Sequence, residues 1–180
     1  MNARSKILRH AAIALAILGP LPLSAEKPDI HARILVPASV APGSKLTVVV
    51  ELTIGSGWHV NSHTPAESFL VPTELSLTTS AGTLSPVRYP PQAERRFSFS
   101  DKPLRVYEGT VRFEADLVVP TNGVESISIA GTLAYQACNE HQCFAPAKIP
   151  LDATVSVARS PENKSFINPI GRQNLRAVTQ

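Results

Sequence analysis

Ile127-Ser128-Ile129-Ala130-Gly131-Thr132-Leu133-Ala134-Tyr135 is the stretch that decides the fold. Ile127, Ile129, Gly131, Leu133 and Tyr135 alternate with Ser128, Ala130, Thr132 and Ala134, the period of two that gives a strand one buried face. The same period runs upstream, where Val111, Phe113, Ala115, Leu117 and Val119 alternate with Arg112, Glu114, Asp116 and Val118. It returns downstream, with Ile149, Leu151, Ala153, Val155 and Val157 set against Pro150, Asp152, Thr154 and Ser156. Further strands are predicted at 30–36, 45–54 and 73–79, with weaker ones around 58–60 and 87–89. No segment keeps a helical period, and sixteen prolines punctuate the chain at spacings suited to strand ends and edges. Seven or eight short strands with turns between them predict an all-β fold, an immunoglobulin-like antiparallel β-sandwich.

The two ends of the chain differ from this middle. The first 25 residues carry Arg4, Lys6 and Arg9, then the apolar run from Ala11 to Leu18, then a proline-containing stretch ending in Ser24 and Ala25. That order is the order of a secretory signal peptide, with cleavage expected near Ala25. The apolar run is far short of the roughly 20 residues a membrane helix needs, so no membrane insertion is expected. Residues 26–158 are expected to form one domain, and 159–180, polar and unpatterned, a loosely held tail. The chain has 17 Lys and Arg against 14 Asp and Glu. Three of the bases lie in the signal, so the mature part is balanced. With Arg95-Arg96 as its one local basic cluster, it lacks the patch a nucleic-acid binder needs.

Both cysteines, Cys138 and Cys143, fall between two strongly patterned strands, so they should flank or occupy a hairpin connection. Four intervening residues allow a disulfide, and an exported protein meets conditions in which one persists. Closing so short a loop removes little entropy from the unfolded chain, about 2 kcal/mol against about 4.7 for a 100-residue loop. A bond of this kind is a poor staple and a good switch, because its two thiols stay together after reduction. Exchange needs an attacking thiolate, a resolving thiol and access for a partner's sulfur. His141, between the cysteines, could stabilise a thiolate or shuttle a proton. Two rivals stand beside exchange: a binding or chaperone-like sandwich with a purely structural disulfide, and a metal-binding module drawing on Cys138, His141, Cys143, His59 and His63.

Three segments resemble the N-terminal periplasmic domain of the thiol:disulfide interchange protein DsbD. They are Gly57-Trp58-His59-Val60-Asn61 with Val71-Pro72-Thr73-Glu74-Leu75; Arg96-Phe97-Ser98-Phe99-Ser100-Asp101 with Val106-Tyr107-Glu108-Gly109; and Tyr135-Gln136-Ala137-Cys138 through Cys143 and Pro146. The resemblance implies a protein thiol:disulfide oxidoreductase of the periplasm that uses no dissociable cofactor. It would take electrons from a thioredoxin-like donor and pass them to oxidised exported proteins through successive mixed disulfides. By position, Cys143 would make the intermolecular bond and Cys138 would resolve it. A loop bearing Phe97, with Phe99 close behind, would cover the cysteines until a partner displaces it. His59 and Asn61 map to positions bordering the cysteines, where better-known members carry tyrosines, and Tyr135 leads into the pair. Two departures stand out: the cysteines are one residue closer than in those members, and Arg95 and Arg96 replace acidic residues before the cap. Positive charge there would favour a thiolate. The chain stops without the family's membrane part or terminal thioredoxin-like domain, so separate partners are expected, a thioredoxin-like carrier and a membrane thiol electron conduit.

Overall fold

The computed structural model describes residues 27–158; the expected signal peptide and C-terminal tail lie outside the described residues. Twelve strands follow one another: β1 (Ile30–Leu35), β2 (Ser39–Val40), β3 (Lys45–Ile54), β4 (His59–Asn61), β5 (Glu74–Thr79), β6 (Thr83–Leu84), β7 (Ala93–Arg95), β8 (Leu104–Tyr107), β9 (Thr110–Val118), β10 (Ser126–Tyr135), β11 (Ala137–Cys138) and β12 (Ala147–Val157). Every segment with a clear period of two is a strand. The number of elements exceeds the expected seven or eight because five, β2, β6, β7, β8 and β11, have only two to four residues, too short to show a period. The weak candidate at 87–89 is a single bridge, Arg88 to Glu114.

Two four-stranded sheets, ordered β1-β3-β9-β6 and β2-β12-β10-β5, make the immunoglobulin-like sandwich. Pairing is antiparallel except where β2 joins β12 in parallel over two residues. The core forms as the alternation dictates. Val48, Leu117, Val119, Ile127, Ile129 and Val155 pack into one cluster, and Val50, Leu52, Phe113, Leu133 and Leu151 into another. Burying each such side chain stabilises the fold by roughly 1.5–3 kcal/mol.

A third sheet, β11-β4-β8-β7, lies at the end of the sandwich. It positions everything chemical. In its pairing, Ala137 stands opposite Val60 and Val60 opposite Tyr107, and all three join the sandwich core. The alternate residues therefore face the other way: Cys138 opposite His59, and Asn61 opposite Val106. That second face is covered by a separate small cluster of Leu70, Phe97, Leu104 and Val106.

On the outer face of the first sheet the register places Glu51 between Arg33 and Arg112. Its carboxylate accepts hydrogen bonds from both guanidiniums at 2.8–3.1 Å. The Arg33 bonds, then those of Arg112, hold the carboxyl below its ordinary range. Stability from this carboxylate is present in full above that range and lost as pH falls through the lowered value. A Glu51→Gln variant is accordingly expected to show a flatter loss of stability with acid in denaturant titrations between neutral and strongly acidic pH. An unchanged slope would show that the triad does not couple folding to protons.

Candidate redox site

The cysteine pair sits inside the connection from β10 to β12, which closes where Tyr135 pairs with Ala147. Cys138 and Cys143 are joined in a disulfide, with their Cα atoms 4.0 Å apart, a little closer than the usual separation of roughly 4.4–6.8 Å. The loop is shaped by more than that bond. The Asn139 side-chain oxygen accepts from the backbone N–H of His141 and of Gln142, each at 2.9 Å. The Asn139 N–H donates to the Gln142 carbonyl, and the Phe144 N–H to the Ala137 carbonyl. A side chain bonding to the backbone two and three residues on favours a turn, so the thiols of the reduced protein are kept close.

Gln136 fastens this hairpin to the small sheet. Its Nε2 donates to the Phe144 carbonyl at 3.1 Å, and its Oε1 accepts from Asn61 Nδ2 at 3.2 Å and from the Val71 N–H at 3.4 Å. Asn61 also donates to the Val71 carbonyl. Asn61 is thus a buried bracket whose amide holds the loop in place. The sequence assigns Gln136 no part of its own; its signal is its place two residues before Cys138. On the core side, Phe144 meets Trp58 edge-on, with ring centroids 5.1 Å apart.

The two sulfur-bearing residues differ sharply in access. Cys138 is 0 % exposed, whereas Cys143 is exposed. His59 shares the face of Cys138, and its position is set by the turn before it. The Trp58 N–H donates to the Gly55 carbonyl, and Gly57 has φ +81°, the left-handed value that the third residue of a type II turn requires. His59 is 3 % exposed, and its Nε2 has no hydrogen-bond partner. Desolvation alone lowers its pKa to about 4, so the ring is neutral at neutral pH.

Phe97 stacks on His59, centroids 4.0 Å apart, and Phe99 stacks on Phe97 at 5.3 Å. Phe97 is buried while Phe99 remains 41 % exposed. Their segment bends into a turn at Ser98-Phe99. Ser98 Oγ donates to the Glu140 carbonyl at 3.1 Å, tying this loop to the cysteine loop. The aromatic cover lies over His59, on the face that Cys138 shares.

The remaining candidates are spread around this centre. Arg95 Nε donates to Glu108 at 2.9 Å, and Arg96 is exposed. Tyr135 is buried in the core cluster, where desolvation raises its pKa. His141 is exposed in the turn. His63 stacks on Tyr89 at 3.6 Å and bonds the Thr73 carbonyl, apart from the cysteines. Among the described residues no three His, Cys, Asp or Glu side chains gather as a metal site, so the ligand types counted in the sequence are not assembled. A cleft of ≈ 400 Å³ beside the site is lined by Trp58, His59, Glu108 and Glu140, among others.

Fold and site together define an immunoglobulin-like β-sandwich with a short-loop disulfide set into a covered end sheet. The chain belongs to the family of the N-terminal domain of the thiol:disulfide interchange protein DsbD, whose family model matches residues 31–152. Solved structures similar to it include the N-terminal periplasmic domain of ScsB from Proteus mirabilis, at 18% identity and a TM-score of 0.46, covering 68% of this chain and 45% of that one. The chain thus spans under half the length of that structure. Another is the reduced N-terminal domain of DsbD from Neisseria meningitidis, at 18% identity and a TM-score of 0.41, covering 69% and 90%. A third is the complex between the DsbD and PilB N-terminal domains of the same organism, at 18% identity and a TM-score of 0.40, covering 67% and 80%. Comparison with curated proteins found no match. No helix among the described residues is long and apolar enough to cross a membrane.

Proposed function

We propose that this protein is a periplasmic thiol-disulfide exchange protein that relays reducing equivalents from a thioredoxin-like or membrane-bound thiol donor to oxidised exported proteins. The observation that carries this reading is the asymmetry of the pair: Cys143 exposed, Cys138 wholly buried. Exchange proceeds by attack of a thiolate along the line of an S–S bond. The accessible residue, Cys143, takes the partner's sulfur, and Cys138, held beside it by the Asn139 turn, resolves the mixed disulfide. Phe97, with Phe99 outside it, gates the face on which Cys138 lies. Residues 26–158 form the working domain, exported by a signal peptide cut near Ala25. A thioredoxin-like partner fits the family, one member of which is seen in complex with a PilB domain.

Trapping tests the assignment of the two thiols. A reduced Cys138→Ser domain, mixed with a thioredoxin-like protein activated as an aromatic disulfide on a single remaining cysteine, should accumulate a covalent heterodimer. Peptide mass mapping should place the bond on Cys143. A Cys143→Ser domain should give little adduct under the same conditions. An adduct formed equally well through Cys138 would overturn the assignment.

A further inference from the structure

We infer that His59 is the proton donor and acceptor for Cys138, kept idle while Phe97 covers it and brought into use when the cap lifts. This rests on the exchange reading above and adds the route of the proton.

The need follows from burial. When a donor thiolate attacks Cys143 Sγ, the Cys138–Cys143 bond breaks, the new donor–Cys143 bond forms, and the electron pair of the broken bond leaves on Cys138 Sγ. A thiolate released there is out of water, and burial without a counter-charge disfavours it. In the opposite direction, once Cys143 is bonded to an oxidised partner, Cys138 must lose its proton before it can attack Cys143 Sγ and release the partner's reduced thiol. Both directions need one proton moved at Cys138.

The geometry points to His59 as the group that moves it. It stands directly opposite Cys138 in the β4–β11 pair, so the two side chains share a face of the sheet. Its Nε2 is buried and engaged by no protein hydrogen bond, so nothing in the fold competes with a proton transfer at that atom. Glu108 and Glu140 line the same cleft, and Glu108 is bonded to Arg95. Cys138 itself is on the facing strand, and Phe97, stacked on the imidazole, is apolar.

The cap sets when the proton moves. Beneath Phe97 the imidazole is desolvated and neutral, with a pKa of about 4. Lifting Phe97 returns it toward the ordinary histidine value of about 6.5, where it takes a proton from water or from Cys138 and gives one to a departing sulfur. The sign is that of a depressed base: the open state binds more protons than the closed one, so falling pH favours opening, and the closed state is most secure above the ordinary histidine range.

The test uses the oxidised mature protein and dithiothreitol, with no protein partner. The rate constant for reduction, corrected to the thiolate form of the reagent, is followed from pH 8 to pH 5. Wild type is expected to rise about tenfold as His59 protonates, within the range of general acid catalysis. His59→Phe, which keeps an aromatic ring beneath Phe97, and His59→Gln, which keeps a polar side chain without an ionisable ring, should both give flat profiles. Circular dichroism shows which variants are folded. A folded variant that keeps the wild-type profile overturns the role of His59 and leaves the exchange reading standing. A disulfide that resists reduction at every pH in all three proteins overturns the exchange reading, and the proton route with it.

Discussion

Changing Cys143 to serine is expected to remove all exchange activity and leave a folded domain. An alcohol cannot form the mixed disulfide, and the buried Cys138 has no access to a partner of its own. The loss in stability should be small, about 2 kcal/mol, because the disulfide closes a loop of only six residues. Turn hydrogen bonds from Asn139 and the Gln136 bracket keep the hairpin in place without it. Denaturant unfolding monitored beside a thioredoxin-coupled reduction assay checks both halves. Residual exchange in the variant would move the reactive sulfur to Cys138. Unfolding of the variant with a much larger stability loss would instead favour a structural bond, the reading of a binding or chaperone-like sandwich.

Phe97→Ala should have the second largest effect. The ring is buried against Leu70, Leu104 and Val106 and stacked on His59, and truncating a buried phenylalanine typically costs about 3 kcal/mol or more. Here most of that loss falls on the closed position of the loop, since these residues form a cluster apart from the sandwich core. Each 1.4 kcal/mol corresponds to roughly a tenfold change in population, so the open state should rise by up to about a hundredfold. Reduction of the disulfide by dithiothreitol at neutral pH should quicken by about tenfold or more, while the thermal midpoint of the whole domain changes less than the same truncation at Phe113 would produce. If the reduction rate stays at the wild-type value, Phe97 is packing and not a gate.

The two arginines before the cap and the histidine beside the disulfide are the charged and titratable groups that the sequence singled out on this side of the site. Arg95 and Arg96 stand two and one positions before Phe97, which put a cation near the thiols in a linear reading. The fold turns Arg95 to Glu108 and leaves beside Cys138 a neutral histidine.

The long strands were legible in the sequence because each buries one face and exposes the other, and that requirement writes a period of two across nine to eleven residues in β9, β10 and β12. The hairpin placement of Cys138 and Cys143 followed from the same pattern, since two antiparallel neighbours must be joined by the residues between them. Of the end sheet only β4 was legible, as the weak candidate at 58–60. β7, β8 and β11 are two to four residues long, and a period cannot be seen in so few. Their pairing joins residues remote in sequence, so only the folded chain could set Cys138 opposite His59, roll Phe97 onto that histidine, and turn one cysteine outward and the other in. Alternation is a local property imposed by the pleat, and the sequence by itself determined it; which faces meet, and which thiol is covered, depend on contacts that form only when the sandwich closes.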